Sequence, residues 1–145
     1  MTINEALFSS QKMDWETPQD FFEKLNKKYK FDLDAAASDE NHKTEKYFTE
    51  KNSALDNDWQ GNVFVNPPYG RKIGDFVKKA YEEYLRDSDR FVVMLIPART
   101  DTQYWHNYIQ GKATVKFIKG RLKFENNGAP KDAAPFPSTL VIYGI

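Results

Sequence analysis

Asn66-Pro67-Pro68-Tyr69 follows directly on the apolar run Val63-Phe64-Val65. Consecutive prolines fix φ twice and remove two backbone donors, so a strand over 62–65 must stop there. Asn66 and Tyr69 are then presented on a stiff turn at the carboxyl end of that strand, the edge where open α/β sheets bind ligands. These residue types suit chemistry on a planar amino group. The lone pair of such an amine, for instance N6 of adenine, is delocalised into its ring and is a poor nucleophile. Two acceptors, the Asn66 side-chain oxygen and the Pro67 carbonyl, can hold both amine hydrogens and localise that lone pair for methylation. Pro68 keeps the turn rigid, and the Tyr69 ring offers a face for a base. The same four residues also read as a turn closing a buried strand, with Asn66 an ordinary turn residue.

The positioning elements follow from periodicity. Thr17-Pro18 reads as an N-cap followed by proline at the first helical position. Phe21, Phe22, Leu25 and Tyr29 then predict a helix over 18–29. Phe31–Ala37 begins as a strand and runs into small residues. Residues 38–58 are polar, with a short helix expected through 41–47. A helix is predicted over 73–85, and the apolar run 91–96, ended by Pro97, predicts a central strand buried on both faces. Tyr104, Trp105, Tyr108 and Ile109 suggest a short helix, and strands are expected at 114–118 and 139–143. This alternation implies an α/β fold: a single-domain, three-layer sheet, parallel at first and antiparallel at its last edge. Residues 1–14 read as a flexible arm with Phe8 as a possible anchor, and 15–145 as the domain.

Composition narrows the options. Lys+Arg and Asp+Glu both number 21 in 145 residues, so nucleic-acid binding would need a local basic patch. There is no cysteine, which excludes a thiolate metal site and a disulfide framework. His42 and His106 are too few for a histidine cluster, although a carboxylate magnesium site stays open. No apolar stretch approaches the ~20 residues that span a bilayer. The expectation is a soluble intracellular protein without a bound metal.

Four blocks, in order, carry a resemblance that covers roughly Trp15 to Tyr143. They are Trp15-Glu16-Thr17-Pro18 with Phe21-Phe22; Phe31-Asp32-Leu33-Asp34-Ala35-Ala36-Ala37-Ser38; Asp58-Trp59 through Asn66-Pro67-Pro68-Tyr69; and Gly120-Arg121-Leu122-Lys123-Phe124 with Ala134-Pro135-Phe136-Pro137-Ser138. Together they resemble the phage-type DNA adenine-N6 methyltransferases, which use S-adenosylmethionine. The resemblance implies a reduced Rossmann-like methyltransferase sheet, catalysis by Asn66, Pro67, Pro68 and Tyr69, and base flipping from duplex DNA. It implies cofactor binding by Trp15, Thr17, Pro18, Asp34, Ala35, Ala36 and Asp58. The helix start at Thr17-Pro18 would favour the cofactor's carboxylate, and Asp34 would receive its ammonium group. Asp39, Glu40, Asn41 and Asp56 are further candidates for cofactor contacts.

Two departures from the wider superfamily stand out. Ala37 and Ser38 occupy places where glycines are expected, and too few residues separate Ser38 from Val63 for two further strands. DNA-phosphate contacts fall to Arg99 and to Lys119, Arg121 and Lys123, whose alternation puts them on one face of an extended segment. Arg99 paired to Asp101 is the alternative for that loop, and alternating cations also protect an edge strand. Trp105 or His106 would line the base pocket. The chain is expected as a monomer or homodimer on double-stranded DNA, in the cytoplasm of a bacterial host if phage-encoded. Other planar amines (protein glutamine, RNA adenine, cytosine N4) and a non-catalytic DNA-binding module remain alternatives.

Overall fold

The computed structural model describes residues 15–126, 129–130 and 133–144; the expected arm over 1–14 lies outside them. Helix α1 spans Gln19–Tyr29 and buries Phe22 and Tyr29 while its lysines stay exposed. It ends at Lys30, in the left-handed region, where the Asn26 carbonyl takes the Lys30 amide and the Asn26 side chain takes the Phe31 amide at 2.8 Å. Pro18 is the N-cap and no side chain caps it, a correction to the capping role expected of Thr17, whose hydroxyl is engaged elsewhere.

The strands are β1 Leu33–Asp34, β2 Lys46–Tyr47, β3 Val63–Val65, β4 Val92–Pro97, β5 Thr114–Phe117, β6 Glu125–Asn126, β7 Ala129–Pro130 and β8 Ser138–Tyr143. Helix α2 covers Ile73–Arg86, and a π-helical turn covers Trp105–Ile109. Six strands form one sheet in the order β2-β1-β3-β4-β8-β5, while β6 and β7 form a small hairpin. β2, β1, β3 and β4 are mutually parallel.

Two expectations are corrected here. The helix through 41–47 is absent. The buried Asp34 carboxylate takes the Lys43 amide at 2.9 Å, and the Asp34 carbonyl takes the Phe48 amide, so the segment is drawn alongside β1 as β2. The antiparallel strand, β8, lies between β4 and β5 rather than at the edge. All six residues of β8 are buried, whereas β5 exposes three of its four, which suits it to the edge.

Paired residues share a face of the sheet, and neighbours along a strand alternate. Phe64 meets Phe22 of α1 with ring centroids 5.2 Å apart. Tyr143 is in register with Val92, and Val92 with Val63, the neighbour of Phe64. Tyr143 meets Tyr81 and Tyr84 of α2 at 5.6 and 5.7 Å. The two helices therefore cover opposite faces.

The amino edge of the sheet is tied by polar groups. Glu83, near the end of α2 and 4% exposed, accepts from the Trp59 amide at 2.7 Å, Arg86 at 2.7 Å and Lys79 at 3.0 Å. Arg90 donates to the Trp59 and Gly61 carbonyls. Gly61 has φ +70°, and a Cβ there would collide with the Asp32 carboxylate that holds the Asn62 amide, so only glycine fits. With this edge fixed, β3 delivers Asn66 at the other.

Candidate active site

β3 is fully buried and stops at the proline pair, so Asn66 leaves the sheet between α1 and the loops of the carboxyl edge. Both Asn66 Nδ2 hydrogens are committed, one to the Trp15 carbonyl and one to Thr17 Oγ1 at 3.0 Å. Asn66 Oδ1 is buried and has no partner among the described residues. An unpaired buried acceptor is costly in a folded protein and marks a place where a ligand donor would be welcome. The Pro67 carbonyl, one residue on, accepts from no described residue. Two acceptors without a partner among the described residues thus sit on consecutive residues of a stiff turn.

Tyr69 is 6% exposed, and its hydroxyl donates to the Leu95 carbonyl at 3.0 Å. Burial raises its pKa well above that of a free phenol, with the nearby Tyr104 adding to the effect. Its ring meets Phe136 edge-on at 5.5 Å and Phe124 at 6.3 Å, and Trp15 meets the same two rings at 5.3 and 5.6 Å. Tyr69 is thus one wall of an aromatic cluster in which Trp15 and Phe136 are half-buried.

At the end of β1, Asp34 is 4% exposed and its carboxylate accepts the Ala36 amide at 3.3 Å and the Lys43 amide at 2.9 Å. Burial raises its pKa, against the lowering effect of the Lys43 and Ala36 amides. No ion pair reaches it among the described residues, because the Lys43 ammonium goes to Gln19 Oε1. Each carboxylate oxygen therefore keeps lone-pair capacity for a cationic group. Ala35 and Ala36 add only methyl groups beside it.

The start of α1 is arranged differently from the expectation for a cofactor carboxylate. Glu125 supplies that carboxylate itself, its Oε2 accepting from the Gln19 amide at 3.2 Å, while its own amide donates to the Glu16 carbonyl at 2.8 Å. Asp58 is also displaced from the site. It is exposed, next to Trp59 at the amino edge, and its charge adds to the main effect of Glu83 in raising the pKa of Arg86. The structure does not bring it together with Asn66. Trp105 and His106 likewise line a separate cleft of about 790 Å³ with Thr100, Val115 and Phe117.

The cations gather where the sheet opens. Arg99, Lys119, Arg121 and Lys123 are all exposed on loops of the carboxyl edge, and among the described residues no ion pair joins Arg99 to Asp101. Arg121 spends one donor on the Ala134 carbonyl at 3.3 Å. Leu122 and Phe124 turn inward, so Arg121 and Lys123 face out. Arg71 and Lys72 are likewise exposed, on the turn just after Tyr69. Among the described residues no cluster has the makings of a metal site, and no helix is long and apolar enough to cross a membrane.

Comparison with known proteins gives the family. The family model described as DNA N-6-adenine-methyltransferase (Dam) matches residues 5–144. A DNA N-6-adenine-methyltransferase of Escherichia phage T1 is 36% identical over 117 residues, which cover 79% of this chain and 48% of that protein. The chain thus spans about half the length of the T1 relative. A DNA N-6-adenine-methyltransferase of Haemophilus phage HP1 is 30% identical over 135 residues, 89% of this chain and 77% of that protein. With a match over nearly its whole length, the chain belongs to the DNA N-6-adenine-methyltransferase (Dam) family.

Proposed function

We propose that this chain transfers a methyl group from S-adenosylmethionine to the N6 amine of adenine in double-stranded DNA, on a reduced Rossmann-like sheet. The observation that carries the reading is the pair of acceptors without a partner among the described residues, buried Asn66 Oδ1 and the Pro67 carbonyl, on a turn fixed by two prolines. Bound to both, the amine has its hydrogens drawn into the plane of the acceptors and its lone pair directed away from the ring. Family membership and the two phage relatives favour adenine in DNA over other planar amines.

The residues at the end of β1 fit the cofactor. Asp34 is a buried carboxylate without an ion-pair partner among the described residues, and a bound ammonium would relieve the cost of its burial. Ala35 and Ala36 leave the backbone approachable. When bound, the cofactor would supply a methyl group on a sulfonium: the N6 nitrogen bonds the methyl carbon as the C–S bond breaks, the neutral thioether leaves without needing an acid, and the amine gives up one of its hydrogens to solvent as a proton. The protein's share is to orient the amine, exclude water with Trp15, Tyr69, Phe124 and Phe136, and hold the DNA backbone.

The reading is tested by incubating the protein with labelled S-adenosylmethionine and unmethylated duplex DNA, then analysing nucleosides by mass. N6-methyladenine is expected. Label in N4-methylcytosine or in protein would reassign the substrate, and failure to bind the cofactor would leave a DNA-binding module.

The cation band carries its own prediction. Replacing Lys119, Arg121 and Lys123 with alanine together is expected to weaken binding to all DNA sequences alike. The slope of log affinity against log salt should fall by about 0.9 for each phosphate that is no longer neutralised. An unchanged salt slope in a binding titration would remove these residues from the DNA interface.

A further inference from the structure

We propose that Thr17 is a positioning residue for Asn66: with the Trp15 carbonyl, it holds the amide in the one orientation that turns Oδ1 toward the substrate amine. This rests on the proposed amine chemistry and assigns Thr17 a role other than cofactor contact.

An asparagine side chain carries two donors on nitrogen and an acceptor on oxygen, and a half-turn exchanges them. In the exchanged orientation an NH₂ would face an incoming NH₂, and the acceptor the reaction needs would be lost. Trp15 contributes a backbone carbonyl, which only accepts, so the Asn66 atom facing it must be Nδ2. Thr17 Oγ1 takes the second hydrogen at 3.0 Å. Once both donors are engaged, Oδ1 is the atom left over, and it is the one that has no partner among the described residues.

Thr17 is 3% exposed, which withdraws it from direct ligand contact. Its hydroxyl makes no capping bond to α1, so its side-chain chemistry is spent on Asn66. The strand-like stretch that carries it is pinned by the bridge between Glu16 and Glu125 and by the Glu125 carboxylate on Gln19. The two acceptors therefore meet Asn66 on a fixed strap rather than on a loose loop.

The test compares Thr17→Val, which keeps the shape and removes the acceptor, with Thr17→Ser, which restores it. Thr17→Val is expected to lower kcat about 10–100-fold with the KM for S-adenosylmethionine unchanged, and Thr17→Ser to recover most of the rate. Independently of turnover, the Asn66 side-chain NH₂ signals, assigned by their loss in Asn66→Ala, should exchange with solvent more slowly in the wild type than in Thr17→Val. A raised KM for the cofactor with full kcat at saturation would make Thr17 a cofactor contact and overturn the proposal. So would equal losses in both variants with unchanged exchange of the Asn66 amide. If the wild type methylates no DNA, the amine reading fails, and slower exchange in the wild type would still uphold the orientation of Asn66.

Discussion

Asn66→Ala is expected to lower the rate of methyl transfer about 10²–10³-fold, the size of effect seen when one preorganised hydrogen-bonding group is removed from a reacting centre. The oxygen it deletes has no partner among the described residues, so no internal bond made by Oδ1 disappears with it. The nitrogen it deletes takes one donor each from the Trp15 carbonyl and the Thr17 hydroxyl, a cost of about 1–3 kcal/mol. The variant should stay folded while its kcat collapses, which single-turnover kinetics and thermal unfolding measured together will show. Asn66→Asp is the sharper companion. It keeps the shape and an acceptor, yet places a carboxylate oxygen against the Trp15 carbonyl, so it should be as inactive as the alanine variant. Turnover within about tenfold of wild type in both would remove Asn66 from the chemistry.

The largest effect on stability is expected at the other edge of the sheet. Glu83→Ala removes the carboxylate paired with buried Arg90 and the acceptor of the Trp59 amide, and should cost about 3–5 kcal/mol, the usual loss when one member of a buried ion pair is removed. Burial alone would raise the Glu83 pKa, but hydrogen bonds from Arg86, the Trp59 amide and Lys79 override it and hold it at about 2 against an ordinary 4.5. A carboxyl depressed by folding favours the folded state while it is ionised. Its contribution is therefore complete above pH ~4.5 and is lost as pH falls toward ~2. Urea unfolding should show a wide gap between wild type and Glu83→Gln at neutral pH and a narrower one near pH ~3. A gap that does not change with pH would mean that Glu83 acts through packing rather than charge.

The strands at 63–65 and 92–97 are legible as apolar runs closed by proline, and those at 114–117 and 138–143 through their β-branched and aromatic residues. Helices α1 and α2 are legible from three- and four-residue spacing. Pairing is not. Nothing in the pattern of residues 138–143 says that they insert between β4 and β5, since a strand buried on both faces reads alike in either direction. β2 escapes for a related reason: it exists because a buried carboxylate upstream, on Asp34, takes the Lys43 amide. At the site, the turn 66–69 stands out through its prolines. The partners of Asn66 do not, because Thr17 in front of a proline looks like a local helix cap and its engagement is tertiary. Asp58 misleads through order along the chain, which places it near the Asn-Pro-Pro-Tyr block in sequence while β3 carries that block to the opposite edge.

The bridge between Glu16 and Glu125 joins residues more than a hundred positions apart in the sequence. It holds the strap that orients Asn66, so the reactive geometry depends on pairings of very high sequence separation, which close late in folding. During synthesis α1, β3 and the proline turn all leave the ribosome before Glu125 does. The nascent chain can therefore carry every residue of the amine-binding turn without the lock on its orientation. Competence arrives when Glu125 is in place, and a fragment ending before Glu125 would lack that lock even with its early elements formed.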